Sequence, residues 1–153
     1  MKIQMILESY EECLSIERYI RYLLDESDLE FRFYEFKDFI KRVPREFVEQ
    51  SCDLTILGSH YEDEQSGKIF IRPFGFELLE LLSRRQLPVL ILYERHNGQL
   101  PTQLLFIFEI LSNAEGLNQR IKKVLKERVI PSKDQLDILK KIYPPQKYDD
   151  HHH

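Results

Sequence analysis

The segment DLTILGSHYEDE, residues 53–64, carries an apolar run into a cluster of side chains able to do chemistry. His60, Glu62, Asp63 and Glu64 fall within five residues, a density that could ligate a divalent cation. Ser59 beside His60, or near the more distant His96, offers a hydroxyl and a base for nucleophilic attack. Glu8, at the end of the first apolar run, could face Asp63 across a sheet's switch point, as acids do in metal-dependent phosphoryl-transfer enzymes. Each reading meets a physical objection. A nucleophile elbow needs GxSxG, and GSHYE lacks the second glycine. Adjacent Ser and His side chains on extended backbone point to opposite faces. Phosphoryl-transfer enzymes fix two or three acids at strand ends, whereas this run ends in Gly58-Ser59. Clustered polar groups on a loop are ordinarily just solvated. The sequence therefore assigns no catalytic residue and no metal ligand. Glycine-rich phosphate loops are absent too, and the turn ESYEE after the first run would repel a nucleotide's phosphates, so no cofactor is expected.

A chain of 153 residues suits one domain with a proper core. Its apolar content of 42% and charged content of 31% place it among soluble globular proteins and exclude large-scale disorder. Cys13 and Cys52 sit in separate apolar stretches and read as buried, reduced thiols. MKIQMIL is too short, and too soon followed by acids, for a signal peptide, and no apolar run approaches the ~20 residues of a membrane span. A cytoplasmic location without membrane contact is the expectation. The net charge of −4 is unevenly placed: residues 120–141 hold eight basic side chains against three acids. Lys122, Lys123 and Lys126 form its candidate basic surface. A nucleic-acid interface would want more basic excess and interleaved aromatics, so a solvated helix face is the preferred meaning.

The elements that must position these residues alternate. KIQMIL (2–7) reads as a buried strand, followed by a helix with Cys13, Leu14, Ile16, Tyr19, Ile20, Leu23 and Leu24 at helical spacing and Ser9 as its cap. LEFRFYEF (29–36) reads as a half-buried strand. The helix after it, through Phe39 and Phe47, is expected to be short, kinked or restarted at Pro44. DLTIL (53–57), PVLILY (88–93) and LLFIFEI (104–110) are three further strands. FELLELLSRR precedes the second of these, and a helix over about 114–128 follows the last. ERHNGQLPTQ, between the fourth and fifth strands, leaves no room for a good helix, so that helix is expected to be missing. Ser132 and Gln135 make a capping box for an additional C-terminal helix. The expected fold is an α/β three-layer sandwich on a five-stranded parallel sheet of order 2-1-3-4-5, flavodoxin-like in class. The 59–74 connection carries Ile69, Phe70, Ile71 and Phe74, which either fold back as a small edge element or, with His60, form an interaction loop.

This order and several strings resemble the receiver domain of two-component response regulators. MKIQMILESYEE looks like that family's first strand and acidic pair, and CDLTILG like the strand that ends in its phosphorylated aspartate. RPFGFELLELL, LPVLILYER and LLFIFEILSNAEGLNQRIKKVL resemble its third helix, fourth strand, and fifth strand with last helix. The resemblance covers residues 1–128, and the departures from it fall together. Gly58 stands at the phosphoacceptor position, Glu8-Ser9 at the acidic pair, Tyr93 at the switch Thr/Ser, and Glu109-Ile110 at the Lys-Pro. Glycine has no carboxylate to phosphorylate, Mg²⁺ wants carboxylate oxygens, and Glu109 would repel an acyl phosphate that a lysine would neutralise. The resemblance thus implies a pseudo-receiver over 1–128, a helical extension over 129–148, and a tail over 149–153 whose histidines look like a purification tag. The expected function is non-enzymatic: a phosphorylation-independent signalling or scaffold module that acts on a protein partner, with a homodimer among the options. Two alternatives stay open. One is a small-molecule- or metal-binding, conceivably hydrolytic, protein using the switch-point crevice at Glu8, His60 and Asp63. The other is a regulator contacting nucleic acid through the basic C-terminal helices.

Overall fold

The apolar runs become strands of one parallel sheet. In a computed structural model, residues 1–23, 28–39, 42–62, 65, 69–72, 74–93, 104–109 and 116–144 are described. β1 (Lys2–Leu7) is followed by α1 (Tyr10–Leu23) and β2 (Glu30–Glu35). A 3₁₀ turn (Phe36–Phe39), α2 (Arg45–Glu49) and β3 (Leu54–Leu57) come next. Then follow β4 (His60–Glu62), β5 (Ile69–Ile71), α3 (Gly75–Arg84) and β6 (Val89–Tyr93). β7 (Ile107–Glu109), α4 (Leu117–Glu127) and α5 (Lys133–Ile142) are the last elements among the described residues. The main sheet has the order β2-β1-β3-β6-β7 with every pairing parallel. Counting its strands alone, that is the expected 2-1-3-4-5. β4 and β5 stand apart as an antiparallel hairpin. The segment 94–103, where the missing helix was expected, lies outside the described residues.

Alternation along each strand divides the core in two. Ile3, Met5, Leu7, Leu54, Ile56, Leu90, Leu92 and Phe108 meet Cys13, Ile16 and Ile20 of α1 and Leu117, Ile121 and Val124 of α4. Ile6, Leu57, Ile91, Tyr93 and Ile107 face the other way, toward the 3₁₀ turn, α2, α3 and α5. Proline explains the broken second helix: the chain leaves the 3₁₀ turn and restarts at α2 directly after Pro44. The short pieces are held by rings. Tyr34, Phe39 and Phe47 meet edge-on with centroids 5.2–5.8 Å apart, each contact adding about 0.5–1.5 kcal/mol beyond its burial.

α5 belongs to this core. Its capping box forms as expected, with the Gln135 amide donating to Ser132 Oγ at 3.1 Å and the Ser132 amide to Gln135 Oε1 at 2.9 Å. Leu136, Leu139 and Tyr143 are buried among Tyr93, Phe106 and Ile107. Lys140 pairs with Glu80 of α3 at 2.9 Å and lies over Phe76. The chain reaches this face by crossing the amino end of β6, where Ser83 Oγ donates to Pro131 O and Arg128 to Gln86 O. α5 thereby lies beside α3, in the layer where an alternating chain keeps the crossover helix between its fourth and fifth strands. The β7 edge is covered from α4: Arg120 donates to the outward carbonyls of Leu105 (3.1 Å) and Ile107 (2.8 Å) and stacks on Phe108. Capping those acceptors blunts an edge open to strand pairing.

Because Leu139 is fully buried, Leu139→Ala should cost about 2–5 kcal/mol of unfolding free energy. Urea titration should still give one cooperative transition, since α5 and the sheet share one core. Two separate transitions would mean that the helix is an independent appendage.

Candidate functional site at the carboxyl end of the sheet

Parallel register brings the positions singled out in sequence to one rim. Ile6 pairs with Leu57, Leu57 with Ile91, and Tyr93 with Glu109. Glu8, Gly58, Tyr93 and Glu109 therefore all end up at the carboxyl ends of β1, β3, β6 and β7, where α/β sheets hold their ligands.

At Gly58 the backbone is crowded by its neighbour strand. The Gly58 amide donates to Ile6 O at 2.8 Å, drawing β3 against β1. A Cβ on residue 58 would lie 2.8 Å from Leu7 Cδ2, closer than carbon atoms approach without displacement. Leu7 is itself buried in the α1/α4 half of the core. Ser9 is occupied in starting α1, its Oγ accepting from the Glu12 amide while Glu12 Oε2 accepts from the Glu8 amide. The Glu8 carboxylate is met by Arg72, 2.9 Å away. Both partners are partly solvated, so the pair contributes modestly, but it ties the β5 end to the β1 end. Tyr93 is buried, and Glu109 is partly exposed.

The 59–74 connection folds back as the β4–β5 hairpin, and alternation sorts its side chains. His60 and Ile71 are paired across the strands and both point inward. Tyr61 and Phe70 form the next pair and stack, with centroids 5.7 Å apart, on the more exposed side. Arg72 lies over the Tyr61 ring, and its amide donates to Ser59 O. Phe74, partly buried, takes the left-handed conformation (φ 68°) that turns the chain into α3, and Gly75 then passes so close that a Cβ would meet Ile71 Cγ2. Of the expected interaction loop, then, His60 and Ile71 lie in the interior, while Phe70 and Phe74 keep part of their surface. The Ile69 side chain, Asp63 and Glu64 lie outside the described residues.

His60 is the most unusual group at this rim. Its ring meets Tyr143 edge-on at 5.2 Å and Tyr93 at 6.2 Å. Neither ring nitrogen has a hydrogen-bond partner among the described residues, and the same holds for Ser59 Oγ and the Tyr143 hydroxyl. Burial pushes the imidazole pKa down to about 4 and raises that of the Tyr143 phenol. A neutral imidazole wedged between two phenol rings links the hairpin to the end of α5. Because neither Ser59 Oγ nor a His60 ring nitrogen has a hydrogen-bond partner among the described residues, the two form no nucleophile pair. Sequence reasoning missed Leu7, Arg72 and Tyr143 as members of this site. Tyr143 follows α5 at helical spacing from Leu136 and Leu139, which marks it as core, but nothing in that spacing names His60 as its neighbour.

Among the described residues no three His, Cys, Asp or Glu side chains are grouped as metal ligands. Both cysteines are free thiols, and burial pushes that of Cys13 up to about 11. Lys122, Lys123 and Lys126 project from α4 into solvent. Arg120 and Arg128 of the same stretch are spent on backbone carbonyls. No helix among the described residues is long and apolar enough to cross a membrane.

Two outcomes follow from this packing. Gly58→Ala should destabilise by about 1–3 kcal/mol through overpacking against Leu7. Combined with Leu7→Ala it should cost less than the sum of the single changes, by 0.5 kcal/mol or more; an additive cycle in urea would show that residue 58 has room. The second concerns pH. The unfolded chain protonates His60 near 6.5 and the folded chain only near 4, so this contribution is intact above pH 6.5 and is lost as pH falls toward 4. The loss should reach roughly 3 kcal/mol. His60→Phe should remove that segment of the stability–pH curve while leaving stability at pH 7.5 nearly unchanged or higher.

No family model matches the chain, and no curated protein matches it in sequence. Among solved structures, the response regulator RcsB of Salmonella typhimurium, described for its conformational dynamism in DNA interaction, is similar with a TM-score of 0.53. The match covers 98% of this chain and 72% of that chain at 12% identity. The likeness is one of fold: this chain has the receiver-like α/β architecture found in a response regulator.

Proposed function

We propose that this chain is a signalling or scaffold module of receiver-like fold that works by protein contact, without aspartyl phosphorylation and without catalysis. The observation that carries the reading is the crowding at Gly58 together with the pairing of Glu8. Leu7 occupies the space a side chain at Gly58 would need, and Arg72 holds the one acid left from the Glu8-Ser9 position. Phosphorylation of such a fold needs a carboxylate nucleophile, a Mg²⁺ held by acids, and a cation against the acyl phosphate. Gly58 supplies no nucleophile, Glu8 is committed to Arg72, and Glu109 brings the wrong charge. The likeness to a solved response regulator lends the signalling class its support. The outer side of the β4–β5 hairpin, with Tyr61 and Phe70, and the neighbouring Phe74 are the surfaces that best suit a protein partner.

Hydrolysis through Glu8, His60 and Asp63 has less behind it, because His60 is sealed between Tyr93 and Tyr143 and Glu8 is paired. Nucleic-acid contact through Lys122, Lys123 and Lys126 is weakened by the inward commitment of Arg120 to the Leu105 and Ile107 carbonyls.

Incubation with acetyl phosphate and Mg²⁺ should leave the intact mass of the protein unchanged. Gain of one phosphoryl group, labile to hydroxylamine as an acyl phosphate is, would overturn the reading.

A further inference from the structure

The outer face of α1 has a pattern that its inner face does not require. Cys13, Ile16 and Ile20 bury the helix against the sheet. On the opposite side, Glu11, Leu14, Ser15 and Arg18 are all exposed, at the spacing i, i+3, i+4, i+7. Those four positions form the hole into which a knob from a facing helix fits. Leu14 is 42% exposed beside the small Ser15, and Tyr10 and Tyr22, at 49% and 85%, continue the apolar surface toward the two ends. Among the described residues neither Glu11 nor Arg18 has an ion-pair partner, although α1 makes such a pair elsewhere, between Glu17 and Arg21.

We infer that this face of α1 binds α1 of a second copy of the chain, antiparallel, about a two-fold axis passing between Leu14 and Ser15. The argument is charge and shape self-complementarity. That axis sets Glu11 against the second copy's Arg18 and Arg18 against the second copy's Glu11, giving two identical ion pairs. Between them Leu14 of each copy meets Ser15 of the other and enters the hole around it. A parallel arrangement in the same register would set Glu11 against Glu11 and Arg18 against Arg18. A uniformly acidic or basic partner helix would satisfy one end of the face and be repelled at the other. The contact is a single helix pair, smaller than the ~1,200 Å² of a tight complex, so the dimer is weak and concentration-dependent. It uses the side of the molecule carrying α1 and leaves the hairpin uncovered, so it stands apart from the reading of the sheet rim.

Sedimentation equilibrium of the full chain over a wide concentration range tests this. The wild-type protein should show reversible monomer–dimer association. Glu11→Arg and Arg18→Glu should each raise the dissociation constant about tenfold or more, replacing two attractions by two repulsions. The double swap, Glu11→Arg with Arg18→Glu, should restore association to within a few-fold of wild type. All three changes lie on an exposed helix face, and circular dichroism checks that the fold survives. A wild-type chain that stays monomeric at millimolar concentration, a dimer indifferent to the single reversals, or a double swap that fails to rescue would each overturn the inference.

Discussion

β1 and β3 come together at their carboxyl ends around a glycine, and Leu7 closes over it. The Gly58 amide bonds to Ile6 O, and the Leu7 Cδ2 methyl lies 2.8 Å from where a Cβ at residue 58 would sit. This contact fixes the rim of the sheet. With the strand ends drawn together and the space filled by hydrocarbon, the chain leaves β3 as the Ser59–His60 segment, which is buried at once. His60 turns inward, so Tyr61 must turn outward. The hairpin that follows is then pinned by the Arg72 amide to Ser59 and by the Arg72 guanidinium to Glu8. At the place where α/β sheets commonly receive a ligand, the β3 end here is crowded by Leu7 and the β4–β5 hairpin is tied to Glu8.

The second dependency runs through the C-terminus. α5 lies beside α3 and buries Leu136, Leu139 and Tyr143 against the side of the sheet that carries Tyr93, Phe106 and Ile107. It also ends on His60, so the C-terminal helix, the hairpin and the sheet rim meet around one neutral imidazole. Unpartnered buried polar atoms normally cost stability. Here five such atoms, from Ser59, His60, Arg72 and Tyr143, gather at the same rim, which makes this the least well satisfied part of the described core. The left-handed Phe74 stands beside it.

The strands were legible because a buried parallel strand must be a short apolar run, and five such runs separated by amphipathic segments leave few topologies. The restart at Pro44 and the capping box at Ser132 and Gln135 were legible for local reasons, the missing amide of proline and the reach of a hydroxyl across one turn. Where α5 packs was not legible. An apolar stripe at Leu136 and Leu139 says that a face is buried and not against what, so an integral layer could be read as an extension. The direction of His60 was hidden too. A histidine after a strand looks polar, and only the pairing of His60 with Ile71 sends it inward. The partners Glu8 and Arg72 lie 64 residues apart, and long-range ion pairs leave no periodic trace. The vacancy at Gly58 was visible from the residue type, but its occupant, Leu7, came from the neighbouring strand.

The proposed reading, a receiver-like scaffold that works through its surfaces, draws its physical support from the Leu7 contact at Gly58 and the Arg72 pair at Glu8. Its most direct test is an amide NMR titration with Mg²⁺ and fluoroberyllate, a mimic of an aspartyl phosphate. The resonances of Glu8, Gly58, Tyr93 and Glu109 should stay fixed through millimolar ligand. Saturable shifts centred on those four amides would mean that the rim opens to hold a metal and a phosphoryl group, and would contradict the account.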